Sequence, residues 1–306
     1  MDYEDYSDIL EDIIDCCFYS NVKPRIKISH FRQLTEILIR KLLSIDKNKK
    51  IMLGNSDLKE KLAPHFAYDP KFESAYNKIK SLGNDYTHTE RLNAVSTDEY
   101  NQCLEAILYV YSYLFIDFFH KEKFNDRKII VAFFSILPLE IRVNTLTKLL
   151  ENSPNDVFIL NKLALARLKK FGLKNTVLWL YTNKETFDLS DKQLVTLHME
   201  KSIEKNSAYS TEFILEHIKN NLELKSLFEY LLETLITTQS NIDREGHRYK
   251  TFESAKEFYS MKKKELSDDS KEFSDFIELM DLCYTGRQKE ENKNALKSDN
   301  AYITIR

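Results

Sequence analysis

Apolar positions return every three or four residues over most of this chain, the period of helices that bury one stripe. Ile9, Leu10, Ile13, Ile14, Cys17 and Phe18 set that spacing over residues 6–19, and Pro24 interrupts it. A second helix is expected over about 29–45, with Phe31, Leu34, Leu38, Leu42 and Ile45 as its stripe. Arg32 and Glu36 pair four apart on it. Asp46-Lys47-Asn48-Lys49-Lys50 closes it as a solvated basic loop. Residues 51–70 read as a loop with one short helix near Leu58 and Leu62, bounded by Pro64 and Pro70. A third helix starts near Lys71 and carries Phe72, Tyr76, Ile79 and Leu82. Its continuation is left open by Gly83, since Gly costs about 1 kcal/mol relative to Ala in a helix interior. Ser96-Thr97-Asp98-Glu99 forms a capping box, and a long helix follows to about Phe119. Four main helices in the first 120 or so residues fit an up-and-down bundle.

The polar stretch from His120 to Arg127 reads as a linker, and the remainder is helical again. Helices are expected near 128–137, 139–151, 155–170, 174–182, 190–205, 210–219, 222–239, 251–265 and 270–284. Ser153-Pro154 fits an N-cap followed by Pro at the first helical position, and Ser190-Asp191-Lys192-Gln193 fits another capping box. The succession of helical hairpins suggests a helical-repeat, α-solenoid arrangement, without the signature of any one repeat type. The resulting division is a bundle over 1–122, a helical hairpin array over 123–287 and a polar tail over 288–306.

Composition sharpens the fold class. Only five Gly and five Pro leave few residues for the tight turns of sheets, so the chain reads as all-α. Nineteen Phe and 17 Tyr point to an aromatic core. The net charge of −3 excludes a protein whose whole surface grips nucleic acid, but leaves room for a local basic patch. Cys16, Cys17, Cys103 and Cys283 lack metal-ligand spacing and read as reduced thiols. The acidic start, Met1 to Asp5, is unlike a signal peptide. The longest apolar cluster, Ile129 to Leu139, is too short to span a bilayer. These features suggest a cytoplasmic protein with no membrane segment.

Chemistry is hinted at in one place, Leu82-Gly83-Asn84-Asp85-Tyr86-Thr87-His88. On a helix, Asn84 and His88 would share a face one turn apart. Together with Arg32 and Glu36 on an early amphipathic helix and the long closing helix, this segment resembles a HEPN domain over about residues 25–120. More narrowly, it is similar to the uncharacterised HEPN branch of bacterial defence proteins and restriction-endonuclease subunits, in which Gly-Asn is followed by a His four positions after the Asn. Catalytic HEPN proteins are metal-independent ribonucleases that pair two motifs of Arg, a polar residue, three others and His across a dimer cleft. The resemblance makes Asn84 the polar residue and His88 the acid/base at a ribose hydroxyl. Gly83 stands where that motif has Arg, which would offset charge on the scissile phosphate. Lys80, about one turn earlier, is a candidate substitute cation.

Three readings of this segment stay open: a packed and hydrogen-bonded pair within the bundle, a contact for a ligand or RNA without cleavage, and catalysis by His88 with Asn84. The favoured expectation is a non-catalytic sensor, adaptor or assembly module of a bacterial antiphage defence or toxin-linked system. Its partners would be a nuclease, helicase or ATPase of the same system, or a second copy, with RNA or DNA as a further partner and no cofactor or metal. The rival is a HEPN-type ribonuclease toxin using His88. A nucleic-acid contact would draw on Arg32, Arg40, Lys47, Lys49, Lys50 and Lys80.

Other candidates read as structural. Arg167, Lys169 and Lys170 end one helix, and Lys262 to Lys264 another, where cations suit the negative end of the dipole. Trp179 reads as a core anchor, and Asp243 to Arg248 as a charged loop between helices. His198 and His217 have no paired ligands, and no phosphate-binding loop or dinucleotide fingerprint appears.

Overall fold

The computed structural model describes residues 7–19, 21–46, 48–87, 93–124, 126–184, 226–247, 251–266 and 268–285. These form eleven α-helices and no strand, so the described chain is all-α. In order they are α1 (Ser7–Ile14, running into a π-helical turn, Asp15–Tyr19), α2 (Pro24–Leu42), α3 (Ser56–Tyr68), α4 (Pro70–Thr87) and α5 (Thr97–Lys121). Then come α6 (Lys128–Phe134), α7 (Leu139–Asn152), α8 (Val157–Thr182), α9 (Leu227–Glu245), α10 (Phe252–Glu265) and α11 (Lys271–Tyr284). The helices expected over 190–205 and 210–219, the Ser190 capping box, His198, His217 and the tail from Gln288 lie outside the described residues.

Several boundaries move from their expected places for local reasons. Pro24 opens α2 rather than interrupting it, because its missing N–H is one that a helix start leaves unbonded anyway. Pro64 lies inside α3 rather than at its edge. Pro64 and Glu60, whose carbonyl loses its intrahelical donor, are both exposed, so water can serve that carbonyl. Helix α4 runs through Gly83 to Thr87. Asp69, buried, precedes it and accepts from the Lys71 backbone N–H (3.0 Å) and the Tyr109 hydroxyl (2.8 Å). The capping box of Ser96 and Glu99 starts α5 as expected. Asp156, not Ser153, caps α8 by accepting from Ile159 N–H (3.0 Å). Residues 243–245 belong to α9, which stops only at Gly246, at a φ of 78° that favours glycine.

The described residues gather into two compact units, one joining those up to 145 with those from 251 to 285, the other made of those between 146 and 247. This division cuts across the boundary expected after residue 122, because α10 and α11 belong with the opening helices. Within the first unit, α2 is antiparallel to α4, since Arg25 reaches Tyr86 while Arg32 lies against Gly83. Helix α4 is in turn antiparallel to α5, with Phe72 stacked on Tyr113 (ring centroids 3.8 Å apart) and Tyr86 bonded to Glu99. Length and apolarity alone would let α5 cross a membrane, but most of its apolar window is buried here, as befits a core helix.

The returning helix α11 is held by aromatic packing. Phe276, fully buried, meets Phe115, Phe118 and Phe119 at centroid distances of 5.7, 5.2 and 5.9 Å. Tyr284 donates to the Ile136 carbonyl (2.9 Å), and Arg127 bridges to Glu272 (3.0 Å) and Asp268 (3.5 Å). The ion pairs are partly exposed and contribute little next to the buried rings. In the second unit, Leu160, Ala164, Leu168 and Leu180 of α8 pack on Leu227, Leu231 and Leu235 of α9.

Two outcomes follow from this packing. Phe276→Ala should cost about 3–5 kcal/mol of unfolding free energy, measured by urea titration, because it opens a cavity among three rings. The second concerns His65 of α3, whose Nδ1 lies 3.1 Å from the Tyr113 hydroxyl and 3.5 Å from Asp117. Burial lowers its pKa below the ordinary value, outweighing the Asp117 carboxylate, which raises it. The unfolded chain therefore binds this proton more tightly than the folded one. Stability from this group is complete above about pH 6.5 and drains as pH falls through the folded pKa. Thermal midpoints recorded from about pH 7.5 to 5.5 should fall less for His65→Gln than for the parent.

Candidate functional site

The segment singled out in the sequence lies at the crossing of α2 and α4. A Cβ placed on Gly83 would stand 2.8 Å from Cβ, 2.9 Å from Cδ and 3.2 Å from Cγ of Arg32. The two helices thus meet with the arginine stem laid across the bare glycine backbone. Arg25 steadies the same seam, donating from Nε to the Tyr86 carbonyl (3.0 Å) with its guanidinium 5.8 Å from the Tyr86 ring centroid. The Thr87 hydroxyl lies 2.6 Å from the Gly83 carbonyl and 3.3 Å from Ser29 Oγ.

Arg32 is held loosely at its far end. Its Nη2 is 3.9 Å from Glu36 Oε1, beyond hydrogen-bond distance, and its Nε is buried with no hydrogen-bond partner. Glu36 is half-buried, and that burial raises its pKa against the opposing pull of Arg32 and then Arg40. Beneath the pair, the fully buried Tyr76 donates its hydroxyl to the Leu53 carbonyl. Burial, and then the Glu36 charge, push that phenol up to about 12, with Arg32 opposing. A half-buried guanidinium with unused N–H groups beside a raised carboxyl can accept a phosphate or carboxylate from outside.

Asn84 follows Gly83, half-buried on the same helix. His88 and Lys47 lie outside the described residues. Lys80 donates to Asn77 Oδ1 (3.0 Å) and sits 5.7 Å from the Tyr76 ring centroid. Its pKa is lowered by burial, and further by the like charge of Lys59 on α3. Arg40 is spent on structure, as its two terminal nitrogens donate to the Asp46 and Lys49 carbonyls and tie down the loop after α2. Lys49 and Lys50 are exposed in that loop. The expected basic set is therefore divided. Arg32 joins Gly83 and Glu36, Lys80 turns to Asn77, and the remaining described cations, Arg40, Lys49 and Lys50, belong to the α2 exit.

The sequence reading missed Lys59 and the contact of Arg32 with Gly83. The available signal was a glycine inside a helical stripe, which marks a close backbone approach. Among the described residues, no group of three or more His, Cys, Asp or Glu comes together as a metal site. Cys17, Cys103 and Cys283 are buried thiols, and Cys16 is a half-buried one. Compared with protein-family models, with curated proteins and with solved structures, the chain matches none.

The crossing gives a sharp expectation for Gly83→Ala. The added methyl meets Arg32 Cβ, the root of the side chain, so a helix must shift. A net loss of roughly 1–2 kcal/mol is expected, the overpacking cost exceeding the gain in helix propensity. Arg32→Ala in that background should recover only part of the loss, because Cβ remains in place; a double-mutant cycle by chemical denaturation measures it.

Proposed function

We propose that this chain is a non-catalytic sensor, adaptor or assembly module of a bacterial antiphage defence or toxin-linked system. The observation that carries the non-catalytic half of this reading is the packing at position 83. The ribonuclease motif that the segment resembles needs an arginine there. Any side chain at 83 would collide with Arg32, so the α2–α4 crossing is built around the loss of that cation. What remains is a surface suited to binding, with a half-buried Asn84 on α4 and a loosely held Arg32 guanidinium on α2. The HEPN-like pattern supports the defence setting. It also supports a nuclease, helicase or ATPase of the same system, or a second copy of the chain, as partner.

One observation favours the rival reading, a metal-independent ribonuclease with His88 as acid/base and Asn84 positioning the substrate. The Arg32 stem crosses α4 at Gly83, five positions before His88 in the sequence, so α2 carries a cation past the position where Gly83 supplies none. Incubating the purified protein with end-labelled RNA in the presence of EDTA separates the two. The adaptor reading expects intact RNA, no growth arrest on expression, and stoichiometric co-purification with a co-expressed nuclease, helicase or ATPase encoded beside it. Cleavage that disappears in both His88→Ala and Arg32→Ala would replace it with the ribonuclease.

A further inference from the structure

The second compact unit carries a different cationic centre, in α8. Between Val157 and Lys184 the chain has six basic residues, Lys162, Arg167, Lys169, Lys170, Lys174 and Lys184, and no acidic one. Four aromatic residues are set among them: Phe158, Phe171, Trp179 and Tyr181. Gly172, at a φ of 78°, breaks the helix in two, and the break lets Trp179 on the second segment reach Arg167 on the first. Arg167 is thereby flanked by two rings, its guanidinium carbon 4.6 Å from the Trp179 centroid and 4.9 Å from that of Phe171.

Arg167 has no ion pair and no hydrogen bond from its guanidinium among the described residues, and its Nε is buried without a partner. A position at a helix end explains a nearby lysine, because a flexible ammonium in water costs little there. It does not explain a half-buried arginine set close to two rings and given no carboxylate among the described residues. Burial alone already pulls its pKa below the ordinary value. With two rings close to its guanidinium carbon, the fork of N–H groups is what remains to bond. That fork matches a phosphate bidentately.

We propose that α8 binds single-stranded nucleic acid, with Arg167 as the phosphate-reading residue. Along the second segment of α8, Lys174, Leu178 and Tyr181 form an exposed row at helical spacing, and Lys184 follows, 5.2 Å from the Phe228 ring centroid. Cations spaced along a helix suit a repeating polyanion, and exposed rings give unpaired bases a face to stack on. An acidic peptide would use the cations but not the rings. This site does not rest on the reading given to the α2–α4 crossing.

Trp179 is the only tryptophan in the chain, so its emission reports on this site alone. The full-length protein is titrated with a single-stranded 20-mer, as RNA and as DNA, at several salt concentrations. Emission of Trp179 and anisotropy of a labelled strand are read together. Binding is expected to quench Trp179 and to weaken steeply with salt. Arg167→Ala should weaken it roughly tenfold or more, and Arg167→Lys should restore only part, since the charge returns without the fork. Lys174→Glu with Lys184→Glu, both at exposed positions, should weaken binding while the circular dichroism spectrum stays unchanged. Lys264→Ala, exposed on α10, serves as the matched loss of charge. The proposal is overturned by any of three results: no binding by the folded parent, binding unmoved by both the Arg167 and the Lys174/Lys184 variants, or equal quenching by polyglutamate or phosphatidylserine vesicles.

Discussion

The geometry of the first unit depends on how closely α2 can approach α4. With glycine at 83, the arginine stem on the opposite helix lies flat in the crossing, and the antiparallel seam from Arg25 to Glu36 closes along its length. A larger residue would hold the helices apart and loosen the contacts that both make with α5. The same approach fixes the electrostatics. Laying down the stem buries Nε and leaves the end of the side chain facing a carboxyl it does not firmly bond. Packing comes first here, and the polar arrangement is its by-product.

Arg32 and Arg167 each have a buried nitrogen without a hydrogen-bond partner, for different reasons. Arg32 has a carboxylate nearby but out of hydrogen-bond reach, so its charge is partly balanced. Among the described residues Arg167 has aromatic rings in place of a counter-charge, and ring quadrupoles offset only part of what lost hydration costs. An incoming anion would therefore gain more at Arg167 than at Arg32. Burial alone does not make a cation receptive; the absence of a carboxylate does.

Much of the fold was legible in the apolar period and the caps. The Ser96 capping box, the stripe of α4 and the all-α class needed no tertiary information. Prolines misled because their meaning depends on position, and Pro24 and Pro64 are tolerated where a neighbouring carbonyl or a first turn asks nothing of them. The return of α11 to the opening helices was invisible, since a buried phenylalanine such as Phe276 does not name its neighbours. At the candidate site, Asn84 and Gly83 were found by pattern. The contact of Gly83 with Arg32 was not, because it joins residues about fifty positions apart. Arg167 was read as an ordinary helix-end cation, as nothing local shows that the break at Gly172 turns Trp179 back onto it.

The first unit is built from both ends of the described chain, and this orders its assembly during synthesis. Phe115, Phe118 and Phe119 leave the ribosome more than 150 residues before Phe276, which completes their packing. At typical elongation rates that interval lasts on the order of ten seconds. For that time a nascent chain that has α1 to α5 but not α11 leaves this aromatic face unfinished. The last of the described helices therefore acts as the closing stone of a fold begun by the first.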